Sequence, residues 1–161
     1  MLTSSKCVKV AAAIIVTIIA AAFLLSPHYF LTVRDRDSGQ LYGRYPMKDG
    51  ERFSIEFKHS INLSPVIDVY EIEGKDIYVE ETIYYHFGAG VQTQLNEGET
   101  LTYGDDGSMI VGNIHQQRNN VGYIVGTVYD HVLTVNGQEI SLRDLCGRNT
   151  AVRFNYEFQL L

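Results

Sequence analysis

Arg52 to Lys58 reads RFSIEFK, in which Phe53, Ile55 and Phe57 alternate without a break with Arg52, Ser54, Glu56 and Lys58. Successive side chains of an extended strand point to opposite faces. This heptapeptide therefore has one apolar and one polar face as a strand, and neither as a helix. The same period of two returns in Leu31 and Val33, in Gln40 to Tyr45, in Val66 to Ile72, in Ile77 to Tyr85, and in Val152, Phe154, Tyr156 and Phe158. Between these runs stand turn signals. Asp37-Ser38-Gly39 closes a first hairpin, Glu73 to Asp76 a second with a four-residue loop, and Gly104 to Gly107 a third between Thr100–Tyr103 and Ser108–Ile114. Asn136-Gly137, between Val132–Val135 and Gln138–Leu142, is the strongest short hairpin signal of all. Val121 to Val128 reads as one more strand, and Ser141 to Leu145 as one helical turn. Beyond residue 30 no segment longer than about ten residues keeps a helical period. Roughly nine to eleven short strands, with turns at intervals of about 8–12 residues, give an antiparallel sandwich or barrel.

The N-terminus is a different material. Val10 to Leu25 reads VAAAIIVTIIAAAFLL, sixteen residues without a charge, preceded by Lys6 and Lys9 and followed by Ser26-Pro27. A cationic start and an apolar run describe a retained membrane anchor or a cleaved signal peptide. Cleavage after Ala20-Ala21-Ala22 would leave the apolar start Phe23-Leu24-Leu25, so the retained anchor is preferred. The expected fold is all-β: an antiparallel β-sandwich or barrel-like domain over residues 31–161, preceded by one N-terminal transmembrane (signal-anchor) helix within residues 1–30. Lys6 and Lys9 place the N-terminus in the cytoplasm and the domain outside it.

All 19 acidic residues lie beyond the apolar run, against 11 basic ones, a formal charge of −8. Nucleic acid needs a basic surface, so it is excluded as a partner. Cys7 and Cys146 fall on opposite sides of the anchor, so no disulfide framework is expected.

The residues with most chemistry follow the cleanest strand. His59 and Ser60 are adjacent, Ser64-Pro65 ends the intervening turn, and Asp68 lies in the next strand. A nucleophile, a base and an orienting carboxylate would need these types. Yet neighbours on a strand point apart, and no Gly-x-Ser-x-Gly turn presents the serine. A structural or binding role for the cluster is preferred to catalysis, with Ser60, Asn62 and Ser64 making turn hydrogen bonds. Gly88-Ala89-Gly90 reads either as a strand exit or as an anion nest. The five histidines include no tightly spaced pair, and Asp105-Asp106-Gly107 is too short for a calcium loop. Neither a metal nor a cofactor is expected, nor an enzyme.

Phe57-Lys58-His59-Ser60-Ile61, then Ser64-Pro65-Val66 and Asp68, resemble the aromatic-x-His-Ser-Val and Thr-Pro-Val-x-Glu pattern of domain-of-unknown-function family 1850. Gly88-Ala89-Gly90-Val91 is similar to the family's Gly-Ala-Gly-Leu, and Leu133-Thr134, Asn136-Gly137 and Ile140-x-Leu142 to its C-terminal hairpin. Residues 31–158 are covered. Asp68 stands for the family's glutamate and Gln92 for a proline. The resemblance implies a small exported protein encoded beside TAXI-type TRAP transporters. It implies signature positions at His59, Ser60, Pro65, Asp68, Gly88 and Gly90, and no catalytic activity. The function expected is an accessory or docking component of such a transporter, touching its permease or solute-binding protein. The alternative is a stand-alone extracytoplasmic module that binds a small molecule or ion.

Overall fold

A computed structural model describes residues 3–24, 28–60, 63–85 and 94–159. Two antiparallel sheets face each other across one core, the arrangement of a β-sandwich. The smaller sheet is built from β1 (His28–Asp35), β2 (Leu41–Pro46), β9 (Val121–Ile124) and β12 (Ala151–Gln159), in the order β2-β1-β12-β9. The larger contains β3 (Arg52–Lys58), β4 (Pro65–Glu73), β5 (Asp76–Tyr84), β6 (Thr100–Tyr103), β7 (Met109–Gly112), β10 (His131–Val135) and β11 (Gln138–Ser141). Its order is β11-β10-β3-β4-β5-β7-β6, and the two-residue β8 (Gln116–Gln117) adds to β5.

Alternation decides which side chains meet between the sheets. Phe53 and Ile55 of β3, Tyr70 and Ile72 of β4, and Leu133 and Val135 of β10 point inward. They pack on Leu31 and Val33 of β1 and on Val152 and Phe154 of β12. Phe53 stacks on Tyr70 with ring centroids 5.0 Å apart, and Phe154 lies 6.3 Å from Phe53. Offset aromatic contacts of this kind add to the burial term that holds such a core together.

The hairpins form where the turn residues place them, with local corrections. Leu31 faces Tyr45 and Val33 faces Gly43, as the first hairpin requires. Glu73 pairs with Asp76, so the expected four-residue loop is a two-residue turn, Gly74-Lys75, with Gly74 at φ 62°. Asn136 and Gly137 both take positive φ, the backbone of a type I′ turn. Ser141 caps the short α2 (Leu142–Cys146) by accepting the Asp144 N–H at 3.0 Å. Gln116-Gln117 pair with Val79 and Tyr78 of β5. The domain starts at His28, which pairs with Gln159, three residues before the expected boundary. The Cys146 thiol donates to the Leu142 carbonyl, and burial raises its pKa to about 11.

At the N-terminus α1 spans Thr3–Leu24. The spanning anchor expected there is not found. Among the described residues no helix is long and apolar enough to cross a membrane. The charge-free run of sixteen residues rises about 24 Å as a helix, short of a hydrocarbon core of about 30 Å.

Candidate functional site

The sequence cluster divides between two clefts. His59 and Ser60 follow β3, and the turn after them is closed by backbone hydrogen bonds from His59 N–H to Ser64 O (2.9 Å) and from Leu63 N–H to His59 O (3.0 Å). Pro65 opens β4 opposite Lys58, where its fixed φ suits a strand start and a missing N–H is tolerated. His59 and Ser60 line a cleft of about 540 Å³ together with Phe57, Tyr129 and His131. Its wall is mainly apolar and carries the rings of Phe57, His59, Tyr129 and His131. The His131 ring stacks on Phe57 at 5.5 Å, and Lys58 Nζ lies 4.9 Å over the Tyr129 ring.

The far side of this cleft is the connection from β9 to β10, and hydrogen bonds of Asp130, Arg143 and Gly126 fix it. The Asp130 carboxylate accepts the N–H groups of His131 (2.7 Å) and Arg143 (3.0 Å) and the hydroxyl of Ser141. Arg143 donates from Nη2 to the carbonyls of Val128 (3.0 Å) and Gly126 (3.4 Å). Gly126 N–H donates to His131 Nδ1 at 3.2 Å, which places the proton of the neutral ring on Nε2. A Cβ at Gly126 would lie 2.0 Å from the Tyr129 carbonyl oxygen, so the bend exists because residue 126 has no side chain. Burial lowers the pKa of His131; Asp130 opposes that shift and Arg143 adds to it.

Asp68 belongs to a second, polar cleft of about 700 Å³. It stands on the same face of β4 as Val66, Tyr70 and Ile72, the face that looks toward the other sheet. Its Oδ1 accepts from Thr82 Oγ1 at 2.9 Å and its Oδ2 from the Tyr123 hydroxyl at 2.6 Å. Tyr123 commits its proton to Asp68, so its oxygen accepts from the Tyr70 hydroxyl 2.7 Å away. Burial raises the pKa of both phenols, with Tyr70 and the Asp68 charge reinforcing the shift at Tyr123. Arg118, Asn120 and Gln116 form the outer part of this cleft.

His59, Ser60 and Asp68 thus do not assemble as a triad: the described partners of Asp68 are Thr82 and Tyr123, and Ser60 is exposed on the other cleft. Gly88 and Gly90 lie outside the described residues. The sequence did not single out Thr82, Asp130 or Arg143. Among the described residues no three His, Cys, Asp or Glu side chains converge as a metal would require.

A family model described as Domain of unknown function (DUF1850) matches residues 53–142, which contain both clefts. The chain belongs to that family. The match covers β3 through β11 and includes His59, Ser60, Pro65 and Asp68. No curated protein and no solved structure gives a significant match to this DUF1850 chain.

Proposed function

We propose that this chain is a non-enzymatic docking module, held at a membrane by α1, that serves as an accessory of a TAXI-type tripartite transporter. The aromatic cleft beside His59 receives a segment of the permease or of its solute-binding protein. The observation that carries the docking reading is the cleft's build: apolar walls open to solvent over a rigidly hydrogen-bonded loop. Val128 is 71% exposed and Tyr129 37%. The loop bearing them is clamped by Asp130 and Arg143, so binding orders little new chain. Docking sites commonly pair aromatic anchors with such rigidity. The transporter assignment rests on the family resemblance of Phe57 to Asp68. The membrane attachment is supported by α1, whose Val10, Ile14, Ile15, Val16, Ile18 and Ile19 are each more than half exposed.

The test is purification of the full-length chain from its native membranes in mild detergent, with mass spectrometry of what accompanies it. A permease or solute-binding protein in stable ratio is expected, and Val128→Asp is expected to lose it while melting like the wild type. Recovery of the chain alone overturns the reading.

A further inference from the structure

Three charged side chains line the polar cleft, Asp68, Glu99 and Arg118, and of these Asp68 and Arg118 do not neutralise each other. Asp68 is half-buried on the inner face of β4, and its described hydrogen bonds come from two neutral hydroxyls. Arg118 is exposed at the rim and gives one N–H to the Gln116 side-chain oxygen at 2.6 Å. Among the described residues neither takes part in an ion pair, with each other or with a third group. Both nevertheless act on one reporter. The Tyr70 hydroxyl feels the Asp68 charge, which raises its pKa, and the Arg118 charge, which lowers it. Asp68 and Arg118 line this same cleft together with Tyr70.

A carboxylate offers about four lone-pair positions. The Thr82 and Tyr123 hydroxyls occupy two at Asp68. A guanidinium offers five N–H donors in a planar fork suited to a carboxylate. A half-buried anion served only by neutral donors is a ready acceptor for a cation, because its desolvation is incompletely offset. The Tyr70–Tyr123–Asp68 chain fixes the carboxylate in place before a ligand arrives, which lowers the ordering cost of binding.

We propose that this cleft binds a small zwitterion of the α-amino-acid class, with the ammonium on Asp68 and the carboxylate on Arg118. The site is separate from the aromatic docking cleft and stands whether or not a transporter partner is found. A ligand of one charge would satisfy one wall and leave the other unpaired, so the whole zwitterion is favoured over either half.

The experiment is saturation-transfer NMR on the full-length chain in detergent, with the twenty free amino acids as probes and acetate and methylammonium as half-ligands. At least one amino acid is expected to show transfer, with either half-ligand at least tenfold weaker by calorimetry. Asp68→Asn and Arg118→Gln are each expected to weaken the binding amino acid tenfold or more. If Asp68→Asn fails to fold, Arg118→Gln decides alone, because Arg118 is exposed. No transfer from any amino acid overturns the proposal. So does a half-ligand that binds as tightly as the whole, or an Arg118→Gln chain that binds like the wild type.

Discussion

The Tyr123 hydroxyl on β9 donates to Asp68 Oδ2 on β4 at 2.6 Å, and this bond ties the smaller sheet to the larger one. The same ring meets the other cleft, lying edge-on to His131 at 5.8 Å and tilted against Phe57 at 5.9 Å. One side chain therefore lines the polar cleft and packs from behind on two residues of the aromatic one.

Tyr123→Phe keeps the ring and deletes the oxygen. It leaves Asp68 Oδ2 without its donor and the Tyr70 hydroxyl without its acceptor. Stranding partly buried polar groups costs about 1–3 kcal/mol. Denaturant unfolding is expected to show a loss of that size. Tyr70→Phe on top of it is expected to cost less than it does in the wild type, because its partner oxygen is already gone. Additive losses would mean that the hydroxyl chain is not a coupled unit.

Gly126→Ala introduces a Cβ that would lie 2.0 Å from the Tyr129 carbonyl oxygen. The contact is with backbone, so the loop has to move. Two hydrogen bonds are lost when it does: Gly126 N–H to His131 Nδ1, and Arg143 to the Gly126 carbonyl. Overpacking of this kind costs about 1–3 kcal/mol. Amide exchange is expected to accelerate from Gly126 to Asp130 and to stay slow in β1 and β12. Unchanged protection across the loop would contradict the account of the bend.

Two histidines give the domain opposite responses to pH around the ordinary histidine value of about 6.5. His115 lies with Nδ1 2.8 Å from Glu80 Oε1 and its ring stacked on Tyr78 at 4.7 Å. The hydrogen bond to Glu80, helped by that carboxylate's charge, raises its pKa. Its stabilisation is therefore complete below about 6.5 and is lost as pH rises through the raised folded value. His131 is lowered, chiefly by burial. Its contribution is complete above about 6.5 and is lost as pH falls through the depressed value. Thermal melts between pH 5 and 8 are expected to show His115→Gln flattening the alkaline side and His131→Asn the acid side. The reverse pairing would refute both assignments.

Much of the fold was legible because strand alternation and turn chemistry are local. Phe53, Ile55 and Phe57 give β3 from seven residues, and Asn136-Gly137 gives its hairpin from two. The order of strands was not legible, since β3 pairs with β10 as well as β4 and only the latter follows it in sequence. The expected strand Val121–Val128 stops at Ile124 for a tertiary reason: Asp130 and Arg143 take over the backbone beyond it. His59 and Ser60 were correctly placed at a strand end, and they border a cleft. Asp68 shares the row of Val66, Tyr70 and Ile72, so a carboxylate facing the core could be read from the alternation alone. Its partner could not: Tyr123 is 55 residues away and in the other sheet.

The state of α1 follows from where its side chains can go. Ile14, Ile15, Ile18 and Ile19 are 54–63% exposed, and Phe23 and Leu24 at its end are no better covered. Apolar surface of that extent in water is costly at about 25 cal/mol per Å², and embedding the helix in lipid removes that cost. The wild-type chain is expected to remain with membranes after alkaline carbonate extraction. Ile15→Asp with Ile19→Asp places two charges in the apolar run and breaks the surface that would enter lipid. That chain is expected in the supernatant, with the β domain melting as before because neither residue belongs to its core. A wild-type chain released by carbonate would remove the membrane from the proposed function and leave the two clefts to carry it.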